Sequence, residues 1–70
     1  MQRPMLIHLN GEPRRLDAPC TLADLLDLAG LSGRRVAVEV NGEIVPRGHH
    51  ATRPVAEGDR VEIVHALGGG

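Results

Sequence analysis

Phenylalanine, tyrosine and tryptophan are all missing from this sequence. The core must therefore be aliphatic, and 70 residues is near the lower limit at which one domain buries enough surface to fold. Such a core leaves little room for an enclosed catalytic cavity. Lysine is missing too, since all eight cationic residues are arginine. No side chain can then form a Schiff base or accept an isopeptide link. A single cysteine, Cys20, excludes an internal disulfide and a multi-cysteine metal site, and it suits a reducing, cytoplasmic compartment. No apolar run has the length of a membrane span, and the opening MQRP does not read as a signal peptide. The net charge of −1 offers no general attraction to nucleic acid.

What remains is strongly periodic. In MLIHL, 5 to 9, Met5, Ile7 and Leu9 recur at period two and predict a strand with one buried face. Asn10-Gly11 then predicts a two-residue hairpin turn, because both central positions of a type I′ turn need positive φ. The returning strand, 12 to 17, contains Pro13, which cannot donate to a ladder and so belongs at a sheet edge. Thr21 is a good helix N-cap, with Asp24 three residues on as the second half of a capping box. Leu22, Leu25, Leu26 and Leu28-Ala29 give an apolar stripe, and Gly30 suits the left-handed position that ends a helix. One helix is expected over about 22 to 29. A strand over 35 to 40, an Asn41-Gly42 hairpin and a strand over 43 to 45 follow, stopped by Pro46. Residues 47 to 54 read as loop and 57 to 59 as turn. Finally RVEIVHAL, 60 to 67, is the most strand-like segment. Two hairpins sharing one helix predict an α+β roll, a mixed sheet wrapped around that helix with a parallel strand pair somewhere in it.

Few side chains here carry chemistry. His49 and His50 are adjacent on a loop and point apart, and His65 has no carboxylate or cysteine at a ligand spacing, so no metal site is expected. Cys20 precedes the N-cap; it either packs on Leu25 or, activated by the helix N-terminus, acts as a reactive thiol. Ser32, the one serine, sits beside Gly33 in a turn. No enzyme emerges from these groups. The end of the sequence is more telling. On the last strand Val61, Ile63 and Leu67 share the parity that faces the helix, while Val64 and Ala66 face outward with no second helix to cover them. Val64, Ala66 and, next to the tail, Leu67 are the candidate partner-facing residues. Beyond a domain of residues 1 to 67 stand only Gly68, Gly69 and Gly70. A carboxylate enters acyl chemistry at neutral pH by activation, for instance as an adenylate. A terminus without side chains can thread a narrow ATP-containing channel and take whatever φ/ψ it imposes.

The segments VAVEVNGEIVPR, 36 to 47, and EGDRVEIVHALGGG, 57 to 70, resemble the ThiS family, the sulfur carrier proteins of thiamine thiazole synthesis. The resemblance extends to the strand and Asn-Gly at 5 to 11 and to TLADLL at 21 to 26. It implies a β-grasp, ubiquitin-like fold. It further implies that Gly70 is adenylated by an E1-like enzyme of the ThiF type, which uses the ATP, while the chain itself binds no cofactor. A thiocarboxylate then forms with sulfur from a donor such as a cysteine desulfurase, and the sulfur passes to thiazole synthase of the ThiG type. Neither nucleic acid nor membrane is an expected partner. The small subunit of molybdopterin synthase shares the fold and the Gly-Gly end, but usually carries aromatics where this chain has Val64 and His65. A ubiquitin-like modifier and a β-grasp RNA-binding module are the other classes that fit such a roll.

Overall fold

The computed structural model describes residues 4–65. Five strands are present: β1 (Met5–Leu9), β2 (Glu12–Leu16), β3 (Val36–Val40), β4 (Glu43–Val45) and β5 (Arg60–His65), with one helix, α1 (Leu22–Leu28), among the described residues. They form a single sheet in the order β2-β1-β5-β3-β4. β1 and β5 run parallel, with His8 beside Arg60 and Leu9 beside Val61. The other pairs are antiparallel. The predicted roll, the parallel pair and the edge position of Pro13 on β2 are thus all present. The last strand lies at the sheet's centre; its predicted extension through Ala66 and Leu67 falls outside the described residues.

Both Asn-Gly pairs take positive φ at both positions, 52° and 83° at Asn10-Gly11 and 53° and 88° at Asn41-Gly42. Their side chains also do something the turn motif does not announce. Asn10 Oδ1 accepts from the Ile63 amide at 2.7 Å, so its carboxamide prolongs the β1–β5 ladder where the β1 backbone turns away. Asn41 Oδ1 accepts from the Arg60 amide at 2.9 Å, and its Nδ2 donates to Asp59 Oδ1 at 3.0 Å. The other Asp59 oxygen accepts from the Ala56 amide at 2.8 Å. Each hairpin turn therefore grips β5, and among the described residues the buried Asp59 carboxylate is held by these amides with no ion pair.

The capping box closes in both directions, Asp24 N to Thr21 Oγ1 at 3.2 Å and Thr21 N to Asp24 Oδ2 at 2.9 Å. At the far end Gly30, at φ 76°, lets its amide reach Asp27 O while the Leu31 amide reaches Leu26 O. This is the Schellman arrangement, and it ends the helix. The segment after β4, expected as plain loop, holds a 3₁₀ turn over Arg47–His49. It also supplies acceptors to α1: Leu22 N donates to Arg53 O and Ala23 N to His50 O, both at 2.9 Å. A short helix needs its first amides satisfied, and here backbone carbonyls do it.

The core is aliphatic, as the composition requires. Ile7, Leu22, Leu25, Val38, Val40 and Val61 are the most deeply buried, joined by Leu16, Leu26, Val45, Val55 and Ile63. Leu28 departs from expectation. It is 61% exposed, because at about 100° per residue it lies roughly 160° around the helix from Leu26. The apolar arc is Leu22, Leu25, Leu26 and Ala29 without it. No helix among the described residues is long and apolar enough to cross a membrane.

Candidate functional site

Alternation along β5 places Val61 and Ile63 under the helix and Val64, 58% exposed, on the open face of the sheet. Strand register sets its neighbours. Ala37 of β3 stands opposite Val64, and Glu39 stands opposite Glu62 on β5 and opposite Ile44 on β4. Ile44 is 64% exposed. One row further along the same face, Asn41, Arg60 and His8 lie side by side. The end of the central strand is therefore bordered by small aliphatic groups and two carboxylates, with no helix over it. Of the other tail residues singled out from the sequence, Ala66, Leu67, Gly68, Gly69 and Gly70 lie outside the described residues.

The remaining candidates separate cleanly. His50 is buried, and its Nε2 donates to the Val45 carbonyl at 3.0 Å, so it fastens the 3₁₀ turn to the end of β4. His49 and His65 are exposed and distinct from it. No group of three histidine, cysteine or acidic residues able to hold a metal ion occurs among the described residues. Cys20 is half-buried against the core, and its carbonyl accepts from the Val55 amide at 2.9 Å. Burial, and after it the Asp24 carboxylate, push its thiol above the ordinary cysteine pKa. This favours the packing alternative over the reactive thiol. The helix has a negative charge in its first turn as a cap, and that charge opposes a thiolate beside it. Cys20 packs instead.

A groove of about 540 Å³ between β2 and α1 is lined by Arg14, Leu16, Cys20, Asp24, Asp27 and Leu28. It is open and lies at the β2 edge, two strands from β5. Cys20, the one thiol lining it, packs on the core, and burial and then Asp24 raise its pKa. The chemically distinctive feature is thus the exposed end of the central strand rather than a pocket.

A mixed five-stranded sheet with its first and last strands parallel at the centre and one helix across it is the β-grasp fold of ubiquitin-like proteins. Within that class, the chain belongs to the ThiS family, whose profile it matches over residues 7–70. It is 38% identical over 65 residues to the sulfur carrier protein ThiS of Thermus thermophilus, covering 93% of this chain and 100% of that protein. The crystal structure of the thiamine biosynthesis protein ThiS of Geobacter metallireducens superposes with a TM-score of 0.82 at 32% identity, over 94% of this chain and 100% of that one. A third likeness differs in kind. The thiazole synthase of Magnetococcus marinus is 46% identical over 66 residues, which cover 94% of this chain but 20% of that protein. The thiazole synthase of Paramagnetospirillum magneticum matches to the same extent. The chain spans about a fifth of these two relatives.

Proposed function

We propose that this chain is a sulfur carrier of thiamine biosynthesis, a co-substrate whose working group is the Gly70 carboxylate. Membership of the ThiS family, with the match running through Gly70, is the observation that carries the reading. An E1-like enzyme binds ATP and the tail; a Gly70 carboxylate oxygen attacks the α-phosphorus and pyrophosphate leaves. The terminal sulfur of a donor persulfide, such as that of a cysteine desulfurase, attacks the acyl carbon and displaces AMP. A second thiol then breaks the S–S bond of the acyl disulfide, leaving a thiocarboxylate on Gly70. Thiazole synthase receives that sulfur. Two thiazole synthases that contain a segment similar to this chain support it as the recipient. Gly68 and Gly69 thread the activating site, while Val64, Ala66 and Leu67 face the partner.

Intact-mass measurement tests this directly. With its cognate activating enzyme, ATP and a sulfur donor, the chain gains the mass difference between sulfur and oxygen. Deleting Gly70 abolishes both that gain and pyrophosphate release, whereas Cys20→Ser leaves them intact. A full chain that never gains the mass, or a deletion variant activated as readily as the full chain, refutes the proposal.

A further inference from the structure

Both hairpin turns carry a latent reaction. Where glycine follows asparagine, no side chain shields the glycine nitrogen. Once base takes its proton, that nitrogen attacks the asparagine Cγ. The Cγ–Nδ2 bond breaks, the departing nitrogen takes up a proton and leaves as ammonia, and a five-membered succinimide remains. Water then opens either carbonyl, giving aspartate or an isoaspartyl link that adds a methylene to the main chain. Ring closure requires Cβ and the next nitrogen to eclipse about the Cα–C bond. A type I′ turn, with φ and ψ both positive at its first central residue, holds them on opposite sides. Asn10 and Asn41 are both in that left-handed region, at φ 52° and 53°.

The two sites differ in what else holds the carboxamide. Asn10 is held through its oxygen, by the Ile63 amide at 2.7 Å. Asn41 is held at both ends, its oxygen by the Arg60 amide at 2.9 Å and its nitrogen by Asp59 Oδ1 at 3.0 Å. Its own backbone amide also donates to the Arg60 carbonyl at 2.8 Å. The products differ further. An aspartate at position 10 still accepts from the Ile63 amide. At position 41 an oxygen replaces the nitrogen that donates to Asp59, so two carboxylates meet at hydrogen-bond distance, one of them buried.

We propose that Asn41 is a self-modification site of this domain, silent while the β3–β4 turn is fastened to Asp59 and Arg60, and irreversible once it reacts. Opening of the turn frees Cγ to meet the Gly42 nitrogen. The carboxylate that results repels Asp59, and the turn no longer docks on β5. The same exchange at Asn10 leaves the fold standing when aspartate is the product.

The test has two parts. Peptide mapping by mass spectrometry follows the exchange of NH2 for OH at each asparagine in the full chain, folded and in denaturant. Asn10 and Asn41 are expected to react at similar rates in denaturant, and Asn41 at least about tenfold more slowly in the folded chain. Equal rates for Asn41 in the two conditions overturn the protection. In thermal melting, Asn41→Asp is expected to melt lower than wild type by about 5 °C or more, while Asn10→Asp melts like wild type. The double variant Asn41→Asp/Asp59→Asn exchanges the partners. A carboxamide at position 59 donates to the carboxylate at 41, and its oxygen still accepts from the Ala56 amide. This variant should regain most of the lost melting temperature. Wild-type melting of Asn41→Asp, or no recovery in the double variant, overturns the repulsion that makes the site irreversible.

Discussion

Asn41 illustrates how a turn residue becomes a structural bolt. Its backbone was legible, because Asn-Gly between alternating segments predicts a type I′ turn. Its side chain was not, since the bonds to Arg60 and Asp59 span 19 and 18 residues respectively and depend on which strand the sheet places alongside. Asn41→Gly keeps the positive φ at little conformational cost while removing the carboxamide. The Arg60 amide and the Oδ1 atom of Asp59 then lose their Asn41 partner, so the variant is expected to be less stable by about 1–3 kcal/mol in denaturant unfolding. Stability equal to wild type would mean that water takes over both bonds. Cys20 and His50 show the same limit from another side. A helix N-terminus speaks for a reactive thiol until Asp24 and burial are placed beside it. An unpatterned His-His loop gives no sign that one ring is buried against Val45.

At the scale of elements, alternation was the reliable guide. Val38, Val40, Val61 and Ile63 are buried as their parity required, and Val64 is exposed as its parity required. Seven helical residues carry less information than a strand pair, because one turn more or less of apolar residues still looks like a stripe. Leu28 was placed on the buried side for that reason and stands outside it. On the proposed carrier reading the element that bears on function is β5, and Val64→Asp probes its outer face without touching the core. Melting should change little, since the side chain is already in solvent. Affinity for thiazole synthase should fall at least about tenfold, as expected for a charge placed at the centre of an apolar contact. Undiminished binding would remove this face from the docking surface.

For the whole molecule, composition and order were enough to give a roll on one helix, and the motifs in its two halves gave the family. The group proposed to do the chemistry is another matter. No periodicity marks Gly70 as reactive; the role proposed for it follows from what a terminal carboxylate can become. The acidic pair on the sheet was equally hidden, since Glu39 and Glu62 are 23 positions apart in the sequence and meet only through strand register.

The parallel contact between β1 and β5 has a consequence in time. Loops between contacts this distant in sequence must close before the contacts repay them, which slows folding. A nascent chain holding β1 to β4 lacks the strand that joins its two hairpins, so translation must deliver β5 before any domain exists. A chain stopped at residue 59 should accordingly show no cooperative melting by circular dichroism, and a cooperative transition would show that the hairpins close on the helix unaided. The polypeptide leading to Gly70 follows β5 immediately off the ribosome. On the carrier reading proposed above, an activating enzyme that reads the folded face would meet completed carriers alone, and abandoned fragments would never draw on ATP or sulfur.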